Sequence, residues 1–85
     1  MFHVYIVRCA DNTYYVGSTS DIDRRIIEHN TSKRGAHYTK IRRPVILVYK
    51  EICNTLSDAR RRERELKKLR REEKIMLIEK ANISQ

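Results

Sequence analysis

Residues 3–17 read His3-Val4-Tyr5-Ile6-Val7-Arg8-Cys9-Ala10-Asp11-Asn12-Thr13-Tyr14-Tyr15-Val16-Gly17. Residues 2–9 are rich in Val, Ile, Tyr and Phe, the composition of a strand. Asp11 and Asn12 are turn residues that tolerate left-handed backbone. Residues 13–17 form a second short strand, so the stretch predicts a hairpin. With a three-residue loop at 10–12, Cys9 faces Thr13, Val7 faces Tyr15 and Tyr5 faces Gly17. Side chains alternate along a strand, so these odd-numbered residues then share one face. Both phenols stand together there, and Gly17 leaves open space beside Tyr5. A loop of two or four residues places Tyr5 and Tyr15 on opposite faces instead.

Downstream, Ser20-Asp21-Ile22-Asp23 predicts a helix start, with Ser20 as the cap and acidic groups in the first turn. The helix runs to about Asn30, with Ile22 and Ile26 facing the core. Arg25 and His29, four apart, share an adjacent stripe. Residues 31–43 show no period and read as a basic loop carrying Lys33, Arg34, Lys40, Arg42 and Arg43 around Gly35. Pro44 then introduces the unbroken apolar run 45–49, which predicts a third strand covered on both faces. Thr55 or Ser57 caps the next helix. Its inward stripe runs Leu56, Ala59, Glu63, Leu66, so a carboxylate stands among apolar positions. Such a group needs a partner or a metal. Arg60, Arg61, Arg62, Arg64, Lys67 and Lys68 point outward. Residues 72–81 predict a last helix, and the tail 82–85 reads as frayed. Tyr14 and Tyr49 read as packing residues, and His3 and His37 as structural or phosphate-adjacent.

Composition narrows the function. The 85 residues fit one domain, residues 1–85, with a modest core, which favours an open groove over a deep pocket. Lys and Arg number 19 against 11 Asp and Glu, a formal charge of +8, which favours a nucleic-acid partner over a neutral small substrate. No basic amphipathic segment rich in Phe or Trp points to a membrane surface, and no run approaches a membrane span. Cys9 and Cys53 form no metal-binding spacing and read as reduced, buried residues. The chain reads as cytoplasmic, or nuclear in a eukaryotic or viral setting.

Four residues carry the chemistry. Tyr5 and Tyr15 can hold and deprotonate water, Arg25 can bind phosphate oxygens in a fork, and Glu63 can hold a hard cation. Their arrangement resembles the GIY-YIG nuclease superfamily: His3-Val4-Tyr5, then Tyr15-Val16-Gly17, Arg25 ten residues after Tyr15, then a helical Glu63. The small stand-alone bacterial proteins of that superfamily are similar also in Gly35-Ala36-His37-Tyr38-Thr39, in Arg43-Pro44, and in Glu63 followed by Lys67-Lys68-Leu69. The chain departs from the family pattern at His3, in place of the first glycine. It departs again at Ser18, where a repair-nuclease branch has lysine, and at His29, where a tyrosine is frequent.

The resemblance implies an α/β (α+β) fold, a small three-stranded antiparallel sheet flanked by helices. It implies a metal-dependent endonuclease acting on phosphodiester bonds of DNA, in structure-specific or repair-related work. Catalysis falls to Tyr5, Tyr15, Arg25, Glu63 and His29, and substrate contact to Gly17, Ser18, Lys40, Arg42 and Arg43. One Mg2+ or Mn2+ ion is implied, held by Glu63, waters and the substrate phosphate. DNA is favoured over RNA, with a protein partner that supplies site choice. The alternative is a non-catalytic basic binding module, or a subunit of nuclease ancestry.

Overall fold

The computed structural model describes residues 1–83. The hairpin forms from β1 (Phe2–Arg8) and β2 (Tyr14–Thr19). Its register pairs Val7 with Tyr15 and Tyr5 with Gly17. Cys9 N–H donates to Thr13 O at 2.8 Å and Asn12 N–H to Cys9 O at 2.9 Å, so the loop is the three-residue one. Asn12 takes φ 67°, the left-handed turn that closes three-residue hairpins. Asp11 Oδ1 accepts from Thr13 N–H and Oγ1, which stiffens the turn.

The third strand, β3 (Ile46–Cys53), pairs antiparallel with β1, giving the order β2-β1-β3. This corrects the sequence expectation twice. β3 continues four residues beyond Tyr49, because Lys50 to Cys53 pair with β1 from Tyr5 back to Phe2. Nor is it covered on both faces, since Ile46 and Ile52 are exposed. A register shift between Ile6 and Val7 leaves Val48 unpaired, so Val48 and Tyr49 both pack on one side of the sheet. The continuous apolar run records that bulge.

Helices cover the two faces. α1 (Ile22–Thr31) starts at Asp21, not Ser20: Asp21 Oδ1 accepts from Arg24 N–H at 3.1 Å. α3 (Leu56–Lys67) is capped by Thr55, whose Oγ1 accepts from Asp58 N–H at 3.0 Å. Between α1 and β3 the expected loop contains α2 (His37–Lys40), a single helical turn. α4 (Arg71–Ile83) begins one residue before the expected helix and ends two after it; residues 84–85 of the expected tail lie outside the described residues.

The even-numbered side of β1 and β2 packs Val4, Ile6 and Val16 against Ala59 and Leu66 of α3 and Ile78 of α4. Tyr14, Tyr49 and Leu69 pack on this cluster, whereas Leu56, expected inward, is exposed. The odd-numbered side packs Tyr5, Val7 and Cys9 against Ile22 of α1 and Val45, with Tyr15, Ile26 and Tyr38 at its margin. Asn30 ties α1 to the residue before β3: Oδ1 accepts from Val45 N–H at 2.7 Å and Nδ2 donates to Val45 O at 3.1 Å. Both cysteines are free, Cys9 buried and Cys53 half-buried.

Candidate active site

β2 is an edge strand, and the candidate residues gather on both sides of it. Tyr15 and Gly17 project to the α1 side, together with Tyr5 across the ladder. Ser18 projects to the other side, toward α3. Tyr5 is fully buried, and its Oη lies 2.6 Å from His29 Nε2. Tyr15 is half-buried and meets the His29 ring edge-on, with centroids 5.4 Å apart. Its other side stacks on Tyr38 at 6.0 Å, and Arg42 lies 3.8 Å over the Tyr38 ring. Burial pushes the Tyr5 phenol up to about 12, against the pull of the Arg25 guanidinium.

The 3.6-residue period of α1 places Arg25 and His29 on successive turns of one face. Arg25 Nη1 donates to Glu28 Oε1 at 3.1 Å and to Arg34 O at 2.7 Å. Burial works against its charge, yet Glu28 and Tyr5 outweigh it and the guanidinium's pKa rises further. His29 has no exposed surface. Burial, together with Arg25 and Arg43, drives its pKa down to about 4, so the ring is neutral. Its Nδ1 lies 2.8 Å from Thr39 Oγ1.

Glu63 reaches the site from α3. Its Oε1 accepts from Ser18 Oγ at 2.6 Å and its Oε2 meets Lys67 Nζ at 2.7 Å. Burial raises its pKa, but Lys67, Ser18 and Arg60 prevail and hold it below the usual carboxylate range. A carboxylate on the apolar stripe thus finds its partners at the edge strand and on its own helix. It forms no ion pair with Arg25. Arg62, one position earlier on α3, ties the helix to β3 by two bonds to Glu51, at 2.8 and 3.1 Å, and Tyr49 also donates to Glu51.

The expected substrate contacts sort differently. Gly17 is buried, and the space beside it is filled by Tyr5, which corrects the open-space reading. Ser18, in the position of a family lysine, orients Glu63. Arg43 turns inward: Nε donates to His29 O at 2.5 Å, and Nη2 to Ser32 O at 2.6 Å and Glu28 O at 3.3 Å, so it caps α1. Arg42 pairs with Asp11 at 3.0 Å and donates to Tyr38 O, joining α2 to the hairpin turn. Lys40 has no ion pair among the described residues. The sequence assigns no role to Thr39, or to Lys67 of the Lys67-Lys68-Leu69 stretch, which it turns outward. The Gly35-Ala36-His37-Tyr38-Thr39 stretch marked the place of the first, without a role.

A profile described as the GIY-YIG catalytic domain matches residues 1–76. The chain belongs to the GIY-YIG family. It is similar to small bacterial UPF0213 proteins. It is 51% identical to that of Staphylococcus haemolyticus over 91% of this chain and 93% of the relative. With the UPF0213 protein of Desulfotalea psychrophila the identity is 58%, over 78% of this chain but 60% of that longer protein. Among solved structures it is similar to the UPF0213 protein BH0048 of Bacillus halodurans, with TM-score 0.59 and 41% identity, covering 93% of this chain and 84% of that one. The E. faecalis protein EF2693 gives TM-score 0.63 at 37% identity, covering 95% and 85%. A GIY-YIG catalytic domain places the chain in a nuclease family whose partner is nucleic acid. No helix of the described residues is long and apolar enough to cross a membrane.

The donor chemistry bears on the implied metal. Among the described residues, no group of three His, Cys, Asp or Glu side chains converges to hold an ion. Glu63 is the carboxylate among the candidate residues; Glu28, on the α1 side, is paired with Arg25. One carboxylate suits Mg2+, which keeps most of its waters and takes further oxygens from a phosphate. Lys67 is half exposed, so its ammonium can leave Oε2 without disturbing the core.

Proposed function

We propose that this chain is a divalent-metal-dependent endonuclease that hydrolyses phosphodiester bonds of DNA in the bacterial cytoplasm. One observation carries the reading: Glu63, ionised and held by Ser18, stands beside the edge strand β2, whose other face carries Tyr15, with Tyr5 across the ladder on β1. A purely binding surface has no use for a fixed carboxylate amid positive charge. An ion bound through Glu63, waters and the substrate phosphate would supply Lewis-acid stabilisation of charge at the leaving oxygen.

The chain's own residues take the remaining tasks. Tyr15 is the phenol that solvent reaches, and it orients and activates the attacking water. Tyr5, buried and bonded to His29, positions the neighbouring groups. The side-chain bonds of Arg25 to Glu28 and Arg34 both use Nη1, which leaves its other donors for Tyr5 and for the oxygens of a phosphate. Arg60 and Arg64 on α3 and Lys68 at its C-cap, each exposed and four apart, have no ion pair among the described residues and form a ridge for the phosphate backbone.

The test is cleavage of single-stranded, duplex and branched DNA, and of RNA, with and without Mg2+ or Mn2+, using Glu63→Ala as the control. Cutting of DNA that needs both the ion and Glu63 supports the reading. A parent protein that binds every substrate and cuts none is a binding module, and the endonuclease reading falls.

A further inference from the structure

Two buried hydrogen bonds meet at His29 and make its two nitrogens unequal. The phenol of Tyr5 is sealed from solvent, so its hydrogen needs an acceptor in the protein. His29 Nε2, at 2.6 Å, is the hydrogen-bond partner it has. The neighbouring guanidinium of Arg25 has only donors to offer. Nε2 therefore accepts, and in a neutral ring the proton sits on Nδ1. Nδ1 points at Thr39 Oγ1, 2.8 Å away. That hydroxyl has one hydrogen, and Ala36 O lies 2.9 Å off to receive it. The lone pair of Thr39 is then free to accept from Nδ1–H. Read from either end, the chain closes with one proton in each bond.

Resting on the reading of this site as an endonuclease, we propose that Thr39 is a positioning residue. Its hydroxyl locks His29 in the Nδ1–H tautomer and so keeps Nε2 as the acceptor for the Tyr5 proton. This gives α2 a function. The single turn His37–Lys40 carries a fully buried threonine to the back of the imidazole. Without it, only the Tyr5 bond favours that tautomer, and the buried Nδ1–H loses the acceptor it has among the described residues. The Nε2–H form would turn a donor toward Tyr5 and leave the phenol hydrogen without its acceptor. Arg43 steadies the same ring from the backbone, through its bond to His29 O.

The experiment is long-range 1H–15N correlation on the full chain, labelled with 15N, near neutral pH and without metal or nucleic acid. The parent is expected to show His29 with a protonated Nδ1 and a bare Nε2. Thr39→Val removes the hydroxyl at nearly constant shape, and its spectrum should move toward the Nε2–H form. Thr39→Ser should keep the parent pattern. A parent spectrum with Nε2 protonated overturns the proposal, and so does an unchanged tautomer in Thr39→Val. Should the valine variant not fold, the parent and serine spectra decide. Cleavage is the second arm. It should fall about 10- to 100-fold in Thr39→Val, the range usual when a metal-ligating imidazole loses its orienting partner, and return in Thr39→Ser. A valine variant with an altered tautomer and the parent rate also overturns the positioning role. A parent that cuts nothing defeats the endonuclease reading instead, and the spectra then decide the lock alone.

Discussion

Gly17 lies so close beneath Tyr5 that a Cβ built on it would stand 2.5 Å from the phenol oxygen and 2.7 Å from Cζ. The ring cannot yield freely, because its hydroxyl is bonded to His29 and its body is buried. The last residue of the second half-motif is therefore a spacer for the tyrosine of the first.

Gly17→Ala is expected to push the Tyr5 phenol off His29 and to cost about 1–3 kcal/mol of stability, as overpacking does. Urea unfolding of the variant checks this. An unshifted midpoint would mean that the phenol has room the geometry denies it.

Glu63→Ala is expected to lower metal-dependent cleavage by at least about 100-fold, the scale of losing one preorganised electrostatic stabiliser. Binding to nucleic acid should stay level or tighten, since a negative group leaves a basic surface. Folding should survive, because alanine is a good helix former. Rates and binding constants measured on the same preparation separate the effects. Cleavage at the parent rate would remove Glu63 from the metal-holding role.

How much of this was legible in the chain depends on range. The hairpin was, because strand alternation and an Asp-Asn turn are local facts, but its parity waited on the loop length, which the sequence left open between two, three and four residues. The placing of Glu63 on the apolar stripe of α3 was legible too. The filling of the space over Gly17 was not, since it depends on where a side chain of the neighbouring strand lies. α2 escaped because one helical turn has no period to detect. The run 45–49 misled because a bulge and double coverage leave the same apolar signature. Arg42 and Arg43 looked like free charges because a loop's sequence does not say whether solvent or a helix's last carbonyls will meet it.

Arg43→Ala is expected to destabilise the fold by about 2 kcal/mol, since its three bonds cap the carbonyl end of α1 with a charged donor. The salt dependence of nucleic-acid binding should not change. Thermal or urea denaturation, beside a binding titration, reads both. A weaker salt slope with unaltered stability would return Arg43 to the phosphate-contact role.

Nucleic-acid affinity should fall steeply with salt. Each phosphate neutralised adds about 0.9 to the log–log slope on duplex DNA. Replacing Arg60, Arg64 and Lys68 together by Gln should reduce the slope by about 2 to 3 on the same basis. A slope untouched by the triple change would move the binding ridge off α3.

Stability should rise with pH across the window set by His29. Burial first, then Arg25, depresses its folded pKa to about 4 from 6.5. Between those values the unfolded chain binds more protons than the folded one. The contribution is complete above the unfolded pKa and is lost as pH falls toward the folded one. The slope from this group is at most about 1.4 kcal/mol per pH unit. Glu63 and Glu51, held below their ordinary range, act in the same sense at lower pH. Urea midpoints between about pH 4 and 7 should show the slope, and His29→Gln should flatten its upper part. An equal slope in that variant would assign the titration to another group.

The left-handed turn at Asn12 has reach beyond the loop it closes. Loop length sets which residues of β2 look toward α1 and which toward α3. One residue inserted between Asn12 and Tyr15 would exchange the two sides at once, sending Tyr15 toward Glu63 and Ser18 toward His29. Neither half of the site can be inverted without the other. In this short span the count of residues therefore matters more than their identity. Valine and isoleucine can be exchanged there without altering the parity, whereas a single position gained or lost inverts it.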